Sequence, residues 1–292
     1  MLVATLRQQT YEIKFTNYIE IYIIMTGKKI KIRNNQVEIY YNQQGEGNVS
    51  LLFIHGWCIN SSYWDNQMAY FAKANTVYAI DLPGFGKSSA TRENWSIEEY
   101  ANDVNAFIEI LDLKNVILIG HSMSGYIALQ ASLSNNSRIS GLVGVDNFKS
   151  FNNSVTSEQM KERESFFHLL KNDFKNTAPT YAENMLFHTN TSTEIKERIK
   201  NDFSLANPKI GCDSLYQMLQ FIPTVTHKLE NIQYKLHLIN SNSTPTNETD
   251  LKKYCEKGYN LDIINSTGHF PMNEKSSEFN ERLNNIIKNI SN

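Results

Sequence analysis

Little in this chain is of the kind that ties a small secreted protein together. Its three cysteines, Cys58, Cys212 and Cys255, are odd in number, far apart and without a C-x-x-C pair. That pattern excludes a disulfide framework and a cysteine zinc site, and it suits a reducing cytoplasm. Charge of one sign is not in excess: 28 basic against 30 acidic residues leave a net charge of −2. Neither nucleic acid nor an anionic membrane is therefore expected as a partner. The apolar, aromatic stretch 18–25 is interrupted by Glu20 and falls far short of the roughly 20 residues that span a bilayer. It also lacks the small-residue cleavage signal of a secretory leader, so residues 1–24 read as an N-terminal extension, with Met25 an alternative start. The histidines show no metal-ligand spacing, and repeats and low-complexity tracts are missing. No metal and no organic cofactor is expected.

What is present is ordinary in bulk and specific in detail. At 292 residues, 41% hydrophobic and 20% charged, the chain can bury a large core. Its most informative stretch begins with Val116, Ile117, Leu118 and Ile119, a continuous apolar run that predicts a strand buried on both faces. Tyr126, Ala128, Leu129 and Ala131 then predict a helix. Between them lies Gly120-His121-Ser122-Met123-Ser124-Gly125. A chain passing from strand to helix so quickly must bend sharply, with the apex residue strained and its side chain clear of the sheet. That is the G-x-S-x-G nucleophile elbow with Ser122 at the apex, except that the last glycine is Ser124.

The rest of the chain supplies the frame. A first hairpin is expected over 29–41, turning at Asn34-Asn35, then buried strands at 51–54, 77–80 and 139–145. Helices are expected over 60–72 and from Ser96, where Ser96 and Glu99 form a capping box. From 148 to 229 buried strands give way to helical patterns at 156–170, 178–187, 193–205 and 213–221, punctuated by Pro179, Pro208 and Pro223. Strands resume at 235–240 and 261–265, and a last helix runs over 274–290. The reading is an α/β fold: a mostly parallel sheet covered on both faces, its core made of 25–147 and 230–292, with 148–229 inserted as a helical cap. His55, Asp81, Ser122 and Asp146 each follow a strand, at the edge where such sheets carry their sites.

A serine needs a base, and the base needs an orienting group. His269 follows the final strand, which puts it at the same edge as Ser122. His168, His188 and His227 lie in the insert, His237 lies inside a strand, and His121 points away from its neighbour on a tight turn.

Taken together, His55-Gly56-Trp57, the run Asp81-Leu82-Pro83-Gly84-Phe85-Gly86-Lys87-Ser88, Gly120-His121-Ser122-Met123 and Gly268-His269-Phe270 resemble the α/β-hydrolase superfamily from about Gln36 onward. The carboxylate departs from that family's commonest pattern, which places it after the strand preceding the histidine strand. Here that site holds Thr244, and no acid follows before Glu248 and Asp250. Asp146 ends an adjacent strand and is the leading candidate, with Asp250 or Glu248 as alternatives. For the oxyanion, the N–H of Met123 at the helix start is one donor. The resemblance implies the N–H of Trp57 as the other, His55 as a brace and Asp81 as a turn residue. Trp57, Cys58, Met123, Phe148 and Phe270 are candidate pocket residues, with plain core packing the competing explanation.

These residues point to a serine hydrolase acting on a small, fairly apolar ester, lactone or thioester. Carbon–carbon hydrolysis and cofactor-free perhydrolysis use the same triad. A ligand-binding sensor with slow, single-turnover hydrolysis is the rival from another class.

Overall fold

The computed structural model describes residues 27–134, 137–151 and 156–291; the extension expected over 1–24 lies outside them. Leu51, Leu52, Phe53 and Ile54, an unbroken apolar run, form β3 (Ser50–Ile54), buried at every position. β6 (Val116–His121) is likewise buried throughout. By contrast, β2 (Val37–Gln44) alternates buried and half-buried residues, the signature of a strand with one face toward water. β1 (Lys28–Ile32) pairs with it across a turn in which Arg33, Asn34 and Asn35 all take positive φ.

The remaining strands are β4 (Thr76–Ile80), β5 (Ser89–Ala90), β7 (Ile139–Val145), β8 (Leu236–Ser241) and β9 (Tyr259–Ile264). Their order is β1-β2-β4-β3-β6-β7-β8-β9, with β5 on β2. Every pairing from β4 through β9 is parallel, and only those involving β2 are antiparallel. From β3 the chain winds one way to β4, then returns to the other side of β3 for β6 and continues outward. β3 and β6 thus flank the point where the winding reverses, which is where a sheet of this type opens a crevice. His55-Gly56-Trp57 leaves β3 and Ser122 leaves β6 at that point.

The first helical element is a 3₁₀ turn (Ser61–Trp64) running into α1 (Asp65–Phe71). It is followed by α2 (Ile97–Ile110) and α3 (Met123–Leu133), the helix of the elbow. At α2 the expected capping box is half made. Ser96 Oγ accepts from Glu99 N at 3.3 Å, but the Glu99 carboxylate turns to Arg33 Nη1 at 2.7 Å, where a charged partner replaces a backbone one.

Between β7 and β8 the described residues form only helices: α4 (Ser157–Asn172), α5 (Phe174–Met185), α6 (Thr193–Leu205), α7 (Pro208–Phe221) and, after a 3₁₀ turn, α8 (Val225–Leu229). This is the inserted helical cap. Of the prolines expected to punctuate these helices, one departs from that role and one keeps it. Pro179 sits inside α5, just past its first turn, and Pro208 opens α7 at the first helical position, where a missing N–H costs nothing. After β8 come α9 (Glu248–Tyr254), α10 (Pro271–Glu274) and α11 (Ser276–Ser291). The single final helix expected from 274 is therefore two, broken at Lys275, whose backbone leaves the helical region at φ −138°, ψ 59°.

Candidate active site

Ser122 stands at φ 53°, ψ −122°, a conformation that costs a non-glycine residue about 1–3 kcal/mol. Its neighbours enforce it. Ser122 N donates to Val145 O on β7 at 2.9 Å, and Gly125 N donates back to Ser122 O at 3.0 Å. A Cβ at Gly120 would lie 2.2 Å from Ser124 O, and one at Gly125 would lie 2.4 Å from Asn147 Nδ2, so helix and strands can approach only at glycine. Asn147 Nδ2 also donates to Ser122 O. The departure from the motif has a structural use: Ser124 is fully buried, and its hydroxyl donates to His55 O. The elbow helix is thereby tied to the loop after β3.

That loop is braced from below. His55 accepts at Nε2 from Leu82 N at 2.8 Å, so its proton sits on Nδ1 and is donated to Gly56 O at 2.7 Å. Burial pushes the His55 pKa down, against the pull of Asp81. Asp81 itself accepts from Ser61 N and Lys87 N, each at 2.7 Å, the turn function expected of it. Trp57 sends its indole into the cap, where Nε1 donates to Gly211 O at 2.8 Å and the ring packs on Phe203 at 5.1 Å and Phe174 at 5.9 Å. Met123 is the first residue of α3, and its N–H is one of those that a helix start leaves free.

The structure brings His269 and Asp146 together across 123 residues, with Nδ1 2.5 Å from Oδ2. A carboxylate only accepts, so Nδ1 carries the proton and Nε2 is left as the basic atom. The other oxygen of Asp146 accepts from Ser241 N and pairs with Lys149 Nζ, both at 2.7 Å. Burial works against ionisation of Asp146, but the His269 hydrogen bond and charge together with Lys149 outweigh it and hold the carboxyl well below its usual range. The alternatives are engaged elsewhere: Glu248 accepts from Tyr259 Oη at 2.6 Å, and Asp250 from Asn247 Nδ2 at 3.4 Å.

Several further residues support this arrangement. His121, at the end of β6, donates from Nε2 to His269 O at 2.7 Å and packs its ring 4.8 Å from that of His269. Burial and the neighbouring His269 push its pKa down to about 3, so it stays neutral and keeps this donor role. Glu274 accepts from Gly268 N at 2.9 Å and from Thr191 Oγ1 at 2.6 Å, which clamps the histidine loop to the cap. Asn147 and Asn240 exchange hydrogen bonds of 3.1 and 3.0 Å, locking the loop after β7 to the end of β8. Apart from Glu274 and Gly268, six residues apart, the partners of these contacts lie far apart in sequence, and only the fold reveals them.

Two cavities meet at Ser122 and His269. The inner one, about 40 Å³, is lined by Trp57, Phe203, Leu215 and Phe270. The outer one, about 310 Å³, adds Met123, Phe148, Lys149 and Thr244. Tyr181, Leu186 and Met218 border both. Cys58 is a correction: it borders neither and faces a separate cleft with Asn60, Phe85 and Asp202. Its positive φ of 58° turns the side chain off the path of Trp57. Among the described residues no three His, Cys, Asp or Glu side chains are grouped to hold a metal ion, and no helix is long and apolar enough to cross a membrane.

Residues 49–209 match the family model of the alpha/beta hydrolase fold. The chain belongs to this family. Among its relatives is a pimeloyl-[acyl-carrier protein] methyl ester esterase from Wigglesworthia glossinidia brevipalpis, 28% identical over 250 residues that make up 85% of this chain and 88% of that protein. A non-heme chloroperoxidase from Burkholderia pyrrocinia is 38% identical over 93 residues, 31% of this chain and 34% of that one. Among solved structures, that of Est816, an N-acyl homoserine lactone degrading enzyme, is 27% identical, with a TM-score of 0.75 over 88% of this chain and 99% of that one.

Proposed function

We propose that this protein is a serine hydrolase that cleaves a small, fairly apolar ester, lactone or thioester through an acyl-enzyme. The carrying observation is the 2.5 Å contact between His269 Nδ1 and Asp146, which leaves Nε2 free in the two cavities that Ser122 also borders. In this reading Ser122 Oγ attacks the substrate carbonyl as its proton passes to His269 Nε2, and Asp146 stabilises the imidazolium. The N–H groups of Trp57 and Met123 receive the oxyanion, each such donor being worth about 3 kcal/mol in the transition state. His269 then returns the proton to the leaving group, and a water activated by the same ring releases the acyl group. The 148–229 cap closes the site over the 25–147 and 230–292 core, and three buried, free cysteines support a cytoplasmic address.

Ser122→Ala is expected to lower turnover of p-nitrophenyl esters by roughly 10⁶-fold with the thermal unfolding curve retained. An active, folded variant would overturn the mechanism. Multiple turnovers per site would separate the enzyme from a sensor that reacts once. Perhydrolysis is the second reading, favoured by the segment shared with the chloroperoxidase; peroxide-dependent release of peracetate from acetate, lost in the same variant, is its test.

A further inference from the structure

Lys149 follows Asp146 by three residues, and two positive-φ positions, Asp146 at 47° and Phe148 at 53°, fold the chain between them back on itself. Its carbonyl accepts from Asn247 N at 2.7 Å, which anchors the backbone. Its side chain is only 14% exposed, and Nζ lies 2.7 Å from Asp146 Oδ1. The same ammonium lies 3.0 Å from Ser241 Oγ and 3.3 Å from Ser241 O. A largely buried cation is therefore fixed on the carboxylate oxygen that His269 does not use.

We infer that Lys149 is a positioning residue that sets the lower pH limit of the site, by neutralising part of the Asp146 charge that His269 experiences. The inference rests on the serine-hydrolase reading above. An imidazolium at 269 is favoured by the carboxylate and opposed by the ammonium behind it. With Lys149 in place, the carboxylate holds the imidazolium less tightly, which favours the neutral ring that can accept the Ser122 proton. The other charged and titratable groups around His269 are accounted for. His121 from β6 is held neutral. Glu274 from α10 spends its carboxylate on Gly268 N, Phe270 N and Thr191 Oγ1. From the cap, the His188 ring accepts from Asn190 N and Tyr181 borders the cavities. Among the described residues, Lys149 pairs with Asp146 as a cation, and His269 does so once protonated.

The test uses Lys149→Gln, which keeps hydrogen-bond donors but removes the charge, and Lys149→Arg, which keeps it. The acidic limb of kcat/KM for p-nitrophenyl acetate is expected to move up by about one pH unit in the Gln variant, the size expected of one charge several ångströms away. The Arg variant is expected to keep the parent limb. A uniform loss of rate with no displacement of the limb would mean a merely structural lysine and overturn the inference. The His269 imidazole is also titrated by NMR in the Ser122→Ala background, with and without Lys149→Gln. That readout needs no turnover, so an upward midpoint supports the role of Lys149 even if the serine mechanism fails, and an unchanged or downward one refutes it.

Discussion

At the rim of the sheet, Ser122 and Asp146 are each held by a backbone group of a neighbouring strand, Val145 O for one and Ser241 N for the other. The cap meets the same cavities with Tyr181, Leu186, Phe203, Leu215 and Met218, side chains that carry a single hydroxyl among them. The rim is locked by directional bonds, while the cap, tied to the core at points such as Gly211 and Thr191, lines the cavities chiefly by packing. Its helix α4 buries only Leu170 and leaves Met160 49% and Leu169 57% exposed. Bonds that fix a reacting atom tolerate little change, whereas apolar walls can be recast one side chain at a time. On the proposed function, chemistry and substrate choice are divided between two parts of the fold.

The rim should break most sharply. After Ser122→Ala, the largest loss is expected from Asp146→Asn, roughly 10⁴-fold in kcat, because an amide can present its donor to Nδ1 and favour the wrong tautomer. The same change should alter acid stability. The folded carboxyl binds its proton at lower pH than an unfolded one, so its contribution is complete above about pH 4, the unfolded value, and is lost as pH falls further. Urea unfolding of Asp146→Asn should therefore show a weaker loss of stability with acid than the parent. A kcat close to the parent's would move the acid to Asp250 or Glu248.

The cap should break differently. Phe203 is 2% exposed and packs edge-on against Trp57, so Phe203→Ala should cost about 3–5 kcal/mol of stability. It should also enlarge the inner cavity and shift preference toward longer acyl chains. Denaturant midpoints and a p-nitrophenyl ester series read the two effects separately. A chain-length profile that does not move would show that packing in the cap does not set specificity.

The same division governs what the sequence reveals. Rim elements announce themselves: β3 and β6 are unbroken apolar runs, and Ser122, His269 and Asp146 each follow a strand. The cap helices are legible as helices, yet the start of α5 at Phe174 and the place of Pro179 inside it depend on packing that periodicity does not encode. Cys58 lies outside the pocket that its place beside Trp57 suggests, because chain adjacency says nothing about which way a residue at positive φ points. Lys149, Glu274 and the Asn147–Asn240 pair escape notice for a different reason. A lysine or asparagine is an ordinary surface residue until the topology sets β7 beside β8.

Ser124 lies where the two regimes touch, and it gives the smallest and most discriminating change. Its hydroxyl joins the elbow helix to the carbonyl of His55, one residue before the Gly56-Trp57 turn. Ser124→Gly restores the commoner elbow motif and removes that donor, leaving a buried carbonyl without it. The expected cost is about 1 kcal/mol in stability. If the bond also holds the Trp57 N–H in register with Met123, kcat should fall severalfold while KM for a short ester changes little, since oxyanion contacts act in the transition state. A fall in stability with kcat intact would make the bond a rivet between core elements. In that case the position of Trp57 would be governed from the cap, through Gly211 and Phe203, rather than from the elbow.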